Sequence, residues 1–332
     1  MALTLLVVVV VLALIFDYIN GFHDAANAIA TVVSTRIMRP ASAVVFGAAL
    51  NFVGALLGTE VAATIGKGLV DATTLSMQTI ICTLIAAILW NLLTWYKGLP
   101  TSSSHALIGS LLGATFFASA DGNQHIMWAA VWEKIIVPMI TSPILGITIG
   151  FALMTALTWM VYRMKLGRIN RLFGRLQIVS AGFMALSHGL NDAQKSMGII
   201  ALALMMTYPQ ESFSVPLWVK IACAIAMGCG TMSGGWRIIR TLGNKMIKLQ
   251  PIHGFAAETT ATAIIGGASL LGIPVSTTQV ISTSIMGVGA TKRLSAVRWG
   301  IVGNIIWAWV LTLPLTFAFA GLLTWVYHHV FK

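Results

Sequence analysis

The hydrophobic pattern of the chain is a series of apolar stretches separated by short polar segments. A membrane-spanning helix needs about 20 apolar residues, and such stretches recur from Leu3 to Phe331 without a gap of the size of a soluble domain. The pattern predicts ten membrane crossings when a broken helix counts as one. Their expected ranges are 3–33, 41–59, 76–96, 101–119, 132–162, 176–207, 216–234, 253–271, 275–291 and 299–327.

Composition supports the same fold class. The 332 residues are 58% hydrophobic and only 9% charged, which is more apolar surface than a soluble core could bury. The amino terminus lacks the positive segment and the small-residue cleavage site of a signal peptide, so it is interpreted as the first helix. The sequence therefore predicts an all-α polytopic membrane protein.

The charges predict the orientation. The net charge is +11, and in a membrane protein the basic residues concentrate on the cytoplasmic side. With the amino terminus outside, 15 of the 20 basic residues fall inside, and the acidic loop residues fall outside. The inside residues are Arg36, Arg39, Lys97, Arg163, Lys165, Arg168, Arg171, Arg175, Arg237, Arg240, Lys245, Lys248, Lys292, Arg293 and Arg298. The outside residues are Glu60, Asp71, Asp121, Glu133 and Glu211.

These charges predict a multi-pass protein of the cell (inner) membrane. Both termini are expected outside, and the basic loop 163–175 is expected in the cytoplasm.

Two pairs of motifs indicate an internal repeat. Gly-Phe-His-Asp-Ala-Ala-Asn at 21–27 matches Gly-Leu-Asn-Asp-Ala-Gln-Lys at 189–195, and Gly-Leu-Pro-Thr-Ser-Ser-Ser-His at 98–105 matches Gly-Ile-Pro-Val-Ser-Thr-Thr-Gln at 272–279. The two pairs are offset by 168 and 174 residues and occur in the same order. Such self-similarity is the signature of a duplicated unit.

The repeat divides the chain into two membrane halves. We expect a first repeat at 1–162, a basic cytoplasmic linker at 163–175 and a second repeat at 176–332, together forming one transport domain. Each half would cross the membrane five times, an odd number, so the second half would be inverted relative to the first. Inverted repeats with a binding site near the membrane midplane are typical of secondary transporters.

The later motif of each half predicts an oxyanion site. Crossings 101–119 and 275–291 are short and rich in Gly, Ser and Thr, which indicates broken or re-entrant helices. A Gly-x-Pro turn leads into hydroxyl residues at a helix start, where free N–H groups and the helix dipole favour an anion. The alternative is that the hydroxyls only cap their helices. The candidate ligands are Thr101, Ser102, Ser103, Ser104, Ser276, Thr277, Thr278 and Gln279.

The earlier motif of each half predicts a cation site. Asp24 and Asp192 lie in apolar stretches, where an ionised carboxylate needs a partner, and Asn27, Asn191 and Gln194 lie nearby at helical spacing. Hard oxygen ligands of this kind suit Na⁺ or a proton, and with Na⁺ the two aspartates, Asn27 and Asn191 would be metal ligands.

Four further residues have open interpretations. Lys195, three residues after Asp192, could instead form a local neutral pair with it. Glu258 is another carboxylate inside a crossing, with a candidate role in coupling or gating. His23, beside Asp24, could take part in coupling, although helix packing is the simpler interpretation for His23, His105 and His188. Asp17 could cap a helix break ahead of Gly21.

With these four motifs, the chain resembles the inorganic phosphate transporter (PiT) family over nearly its whole length, in the manner of a short bacterial member. The resemblance implies phosphate uptake driven by Na⁺ or H⁺, with metal–phosphate complexes also carried by some bacterial members. It also implies that the hydroxyl runs beginning at Thr101 and Ser276 contact phosphate and that Asp24, Asn27, Asn191 and Asp192 bind the cation. His23 departs from the family pattern, since animal relatives have Asn there.

The sequence thus favours a secondary active symporter that works by alternating access, with no cofactor besides its coupling ion. Its expected partners are phosphate, a coupling cation and the lipid bilayer, but no nucleic acid, and it could act alone or as a homodimer. Two alternatives stay open, a permease for sulfate or another oxyanion and a passive anion channel. An enzyme is not favoured, because neither a nucleophile with its base nor a metal cluster is recognisable.

Overall fold

The computed structural model describes residues 2–72, 75–119, 121–208, 212–292, 295 and 297–330, and of 244 and 245 only the backbone. Within these ranges the fold is all helical, apart from one isolated bridge between Val70 and Ile126. The helices of the first half are α1 (Ala2–Ser34), α2 (Pro40–Ala55), α3 (Glu60–Lys67), α4 (Met77–Lys97), α5 (Ser103–Phe116), α6 (Trp128–Val131) and α7 (Val137–Val161). Those of the second half are α8 (Leu166–Thr207), α9 (Leu217–Ser233), α10 (Trp236–Arg240), α11 (Pro251–Leu270), α12 (Thr277–Ala290) and α13 (Trp299–Val330). Two π-helical turns, Trp132–Ile136 and Thr241–Lys245, follow α6 and α10.

Several helices are long and apolar enough to cross a membrane. Among the described residues there are four, and up to six if each of two bent pairs is one crossing. The four are Ala2–Ser34, Met77–Lys97, Trp128–Val161 and Trp299–Val330. The bends are 68° between α2 and α3, and 57° between α9 and the segment Trp236–Gly243. An all-α polytopic membrane protein is therefore confirmed, and the count of ten crossings stays a prediction.

The two halves interlock through reciprocal helix pairs. Helix α1 packs against α9 while α8 packs against α2, and α5 packs against α13 while α12 packs against α7. Glycines allow the closest approaches, since a Cβ added to Gly21 would lie 2.4 Å from the carbonyl oxygen of Met227. A Cβ added to its sequence counterpart, Gly189, would lie 2.1 Å from the carbonyl oxygen of Asn51. Each half therefore depends on the other for its packing.

The described structure differs from the sequence predictions at two places. Helix α1 continues through Gly21, so Asp17 does not cap a break there. The basic segment 163–175, expected as a loop, is mostly the beginning of α8, which starts at Leu166. Two residues of the charge prediction, Glu211 and Arg293, lie outside the described residues.

Candidate functional site

Two short helices, α5 and α12, begin at the hydroxyl runs. Each has 14 residues, about 21 Å, which is shorter than the roughly 30 Å hydrocarbon core of a bilayer. Each is preceded by a turn that starts with a glycine in the left-handed region, Gly98 (φ 66°) and Gly272 (φ 67°). The sequence places a residue without a Cβ at each turn because other residues adopt this conformation at a cost.

Two of the predicted anion ligands act as helix caps. The Ser102 hydroxyl accepts a hydrogen bond from the amide of His105 (3.1 Å), and the Ser276 hydroxyl accepts one from the amide of Gln279 (3.3 Å). The capping interpretation therefore holds for these two residues, which are counterparts in the repeat. Their caps leave the other hydroxyls of the runs for different partners.

The starts of α5 and α12 meet in the protein interior. The Ser104 hydroxyl donates to the carbonyl oxygen of Val275 at 3.2 Å, which links the first residues of one helix to the turn before the other. All eight predicted anion ligands are buried. The hydroxyl of Ser103 and the side-chain oxygen of Gln279 have no hydrogen-bond partner among the described residues. Buried polar atoms are nearly always paired, so such atoms are available to a ligand.

The acidic motif of α1 lies against these helix starts. The Asp24 carboxylate accepts from the Thr278 hydroxyl (3.3 Å) and lies 2.7 Å from Nδ1 of His23. The Asn27 amide nitrogen donates to the hydroxyls of Thr277 (3.2 Å) and Thr278 (2.9 Å). Nε2 of His23 lies 3.1 Å from Oγ1 of Thr94 and 3.4 Å from Oγ1 of Thr101. The side-chain oxygen of Asn27 has no hydrogen-bond partner within the described part of the chain.

The acidic motif of α8 contacts the same helix starts. The Lys195 ammonium donates to Asp192 and to the Ser104 hydroxyl, and its Nζ lies 3.4 Å from the carbonyl oxygen of Val275. The second carboxylate oxygen of Asp192 accepts from the Thr277 hydroxyl at 3.2 Å. The pair of Asp192 and Lys195, left open by the sequence, is therefore present in the structure.

Two predicted cation ligands of α8 have other partners. The Gln194 side-chain oxygen accepts from the amides of Val61 (2.8 Å) and Ala62 (3.2 Å) at the start of α3. The Asn191 amide nitrogen donates to the Ser269 hydroxyl at 2.8 Å, although its oxygen has no hydrogen-bond partner among the described residues. The structure therefore does not bring Gln194 to the carboxylates, because capping α3 uses its oxygen.

The two acidic motifs meet where the halves join. A carboxylate oxygen of Asp24, a ring nitrogen of His188 and a carboxylate oxygen of Asp192 all lie within 4.8 Å of one another. All three residues are buried. His188 Nε2 is 3.2 Å from Asp192 and its Nδ1 is 3.1 Å from the Asn51 oxygen. The sequence interpretation of His188 as a packing residue missed this contact, which its spacing of four from Asp192 could have indicated.

Glu258 lies apart from the hydroxyl runs, at a second junction of the halves. Its carboxylate accepts hydrogen bonds from the hydroxyls of Thr31 and Ser180 and, at 3.2 Å, from the Gln177 amide nitrogen. The side chain is fully buried, and no basic residue of the described ranges forms an ion pair with it. Glu258 thus links α11 to both α1 and α8.

Comparisons with known proteins agree on one family. The profile of the phosphate transporter family matches residues 20–320. A "Probable low-affinity inorganic phosphate transporter" of Bacillus subtilis (strain 168) is 45% identical over 332 residues, covering 99% of each chain. Its namesake from Rhizobium meliloti (strain 1021) is 46% identical over 316 residues, covering 95% of this chain and 94% of its own. A solved structure described as "The sodium-dependent phosphate transporter" superposes with a TM-score of 0.86 at 23% identity, covering 98% of this chain and all of the other.

Proposed function

This chain belongs to the phosphate transporter family, and we propose that it is a secondary active symporter that imports inorganic phosphate with a coupling cation. Phosphate transport is the activity common to the family. The coupling, the cation and the mechanism of alternating access are proposed from the site.

The observation that carries the proposal is the position of Thr277. Its hydroxyl accepts from Asn27 of the first acidic motif and donates to Asp192 of the second. One hydroxyl of an anion-binding helix start therefore contacts both acidic motifs. A change in charge at either aspartate would act on phosphate at a distance of a few ångströms, which is the physical basis of coupling.

Phosphate would bind between the starts of α5 and α12. Thr101, Ser103, Ser104, Thr277, Thr278 and Gln279 would contact it, while Ser102 and Ser276 hold the helix starts in shape. Backbone N–H groups and the positive ends of two helix dipoles would face the anion from both sides. Binding a tetrahedral oxyanion in this place would also give a hydrogen bond to the Ser103 hydroxyl, which has no partner within the described ranges.

The coupling cation would bind at Asp24 and the oxygen of Asn27. Asp24 is buried, so its negative charge is costly unless a cation neutralises it. Both Na⁺ and H⁺ fit a carboxylate in this place, and the sodium dependence named for the structural relative supports Na⁺. Asp192 and Asn191 are the corresponding groups of α8, where Asp192 already has Lys195 as its partner.

Alternating access would follow from the two inverted repeats at 1–162 and 176–332. The reciprocal packing of α1 with α9 and α8 with α2 supports a repeat of this kind. Movement of one half against the other would expose the shared site to each side in turn. Glu258 would respond to this movement because its three donors lie on α1 and α8, which suits a role in gating.

Neutralising Asp24 tests the proposal most directly. Asp24→Asn keeps the shape of the side chain but removes the charge that a cation would compensate, so gradient-driven accumulation should fall at least about 100-fold. Phosphate uptake into proteoliposomes is measured under imposed Na⁺ or H⁺ gradients.

Asp121→Asn is the matched control, since it removes an exposed loop carboxylate and should leave uptake unchanged. Undiminished accumulation by Asp24→Asn would refute coupling at this residue. Wild-type protein that only equilibrates phosphate would instead be a channel, and equal competition by sulfate would make the anion assignment wrong.

A further inference from the structure

We infer that the ammonium group of Lys195 takes, in the second half, the place that a mobile coupling cation takes in the first half. The inference rests on the proposed symport and concerns the number of cations carried with each phosphate. A tethered cation remains on the protein throughout the transport cycle, so it neutralises charge without being transported.

The repeat makes Lys195 the counterpart of Asn27. Both residues follow the repeated aspartate by three positions, and Asn27 and Lys195 are separated by the same 168 residues as Asp24 and Asp192. One half therefore presents an amide beside its aspartate where the other presents a positive charge.

The contacts of the two side chains are reciprocal. Asn27 reaches across to Thr278 of the second hydroxyl run, and Lys195 reaches across to Ser104 of the first. Thr278 and Ser104 are themselves counterparts, 174 residues apart. The structure thus places the ammonium of one half where the other half has an amide, whose oxygen has no hydrogen-bond partner in the described part of the chain.

The surroundings of the Lys195 nitrogen are those of a bound cation. Nζ contacts three oxygens of different kinds, from the carboxylate of Asp192, the hydroxyl of Ser104 and the carbonyl of Val275. Carboxylate, hydroxyl and carbonyl oxygens also form sites for hard metal cations. Lys195 is fully buried, so water does not supply these contacts.

A mobile cation would not bind to Asp192. This carboxylate is already neutralised by Lys195, and a mobile cation bound to it would lie in contact with the ammonium and be strongly repelled. In the first half, no lysine or arginine of the described ranges forms an ion pair with Asp24, and the basic partner of its carboxylate is the His23 ring at 2.7 Å, so a mobile cation can bind there. Coupling therefore depends on Asp24. The protein would carry one mobile cation fewer with each phosphate than a transporter in which both halves bind one.

Lys195→Asn tests the inference by giving the second half the residue of the first. At cation concentrations that saturate the wild type, uptake by this variant should fall at least about 100-fold, because Asp192 loses the ammonium that neutralises it. Raising Na⁺ at constant pH should restore it, and the ratio of Na⁺ to phosphate should rise by one. The ratio is measured in proteoliposomes from the Na⁺ gradient that just balances a phosphate gradient.

Lys195→Met is the matched control, since it is equally neutral but offers no oxygen ligand. It should lose uptake to the same extent and should not recover with Na⁺. Recovery of both variants alike, or an unchanged ratio in Lys195→Asn, would overturn the inference.

The double variant Asp192→Asn, Lys195→Met provides a second test, which can be used if the single variants fail to fold. It removes the acid and the ammonium together, so ²²Na⁺ binding to the purified protein should match that of the wild type. Loss of one bound Na⁺ would mean that Asp192 holds a mobile cation. Failure of the wild type to accumulate phosphate under any cation gradient would refute the proposed symport itself, which is a separate outcome.

Discussion

The acidic motifs of α1 and α8 share a scaffold but differ in charge. Asp24 has the His23 ring and the Thr278 hydroxyl as partners. Asp192 has the His188 ring, the Thr277 hydroxyl and, in addition, the Lys195 ammonium. Both motifs reach the hydroxyl run of the opposite half, through Asn27 and Lys195. The two motifs therefore make similar contacts across the halves, but only the motif of α8 carries the fixed positive charge of a lysine.

The two motifs are alike at their glycines and differ three positions after each aspartate. The glycine crossings at Gly21 and Gly189 are needed in both motifs, because a Cβ at either would clash with a carbonyl oxygen of the other half. The residue three positions after each aspartate is an amide in one motif and an ammonium in the other, and both side chains are buried.

The largest effect is expected when the first half is given the charge of the second. Asn27→Lys would place an ammonium beside Asp24 and Thr278, copying Lys195. Accumulation driven by a cation gradient should fall at least about 100-fold, since a fixed charge replaces the mobile one. Phosphate exchange without a gradient should persist, because the anion site keeps its donors.

Gradient-driven uptake and exchange are compared in the same proteoliposomes. Retained gradient-driven accumulation by Asn27→Lys would mean that the coupling cation binds away from Asp24. Asn27→Gln, which keeps the amide, is the control and should retain cation dependence.

A smaller effect is expected from the reciprocal hydroxyls. Thr278→Ala and Ser104→Ala each remove one hydroxyl from the anion site, and each should weaken phosphate affinity by about tenfold, the usual scale of a hydrogen bond to a charged group. Only Thr278→Ala should also raise the cation concentration needed for half-maximal uptake, because only that hydroxyl lies beside Asp24.

The apparent phosphate KM is measured at several cation concentrations for both variants. Identical cation dependence in the two variants would contradict the assignment of the cation to the first half. Replacing Thr278 by Ser keeps the hydroxyl and should restore wild-type behaviour.

The smallest effect is expected from His23→Asn, which gives the first motif the residue found at Asn191. The imidazole lies 2.7 Å from the Asp24 carboxylate and is one of its two polar partners among the described residues, beside the Thr278 hydroxyl. Uptake should change by less than about tenfold, because the Thr278 hydroxyl still contacts Asp24. Gradient-driven uptake into proteoliposomes checks the result, and a loss as deep as that of Asp24→Asn would make His23 an obligatory part of coupling.

The sequence alone predicted the fold class and the candidate residues. Long apolar stretches indicate membrane helices, because in lipid a spanning segment must satisfy its backbone hydrogen bonds internally. The two repeated motifs were also readable, because each is local and keeps its residue types and spacing in both halves. These signals were sufficient for the resemblance to phosphate transporters.

The partners of the candidate residues required the tertiary structure. Spacing shows which residues share one face of a helix, but it does not show that Gln194 caps α3 or that Glu258 has its donors on α1 and α8. Asn27 and Thr278 are 251 residues apart, and only the close crossing of helices from different halves brings them together. The sequence alone shows which chemical groups the protein has and leaves the local pair of Asp192 and Lys195 open. Only long-range packing brings Lys195 to Ser104 and Asn27 to Thr278, because these contacts join helices of different halves.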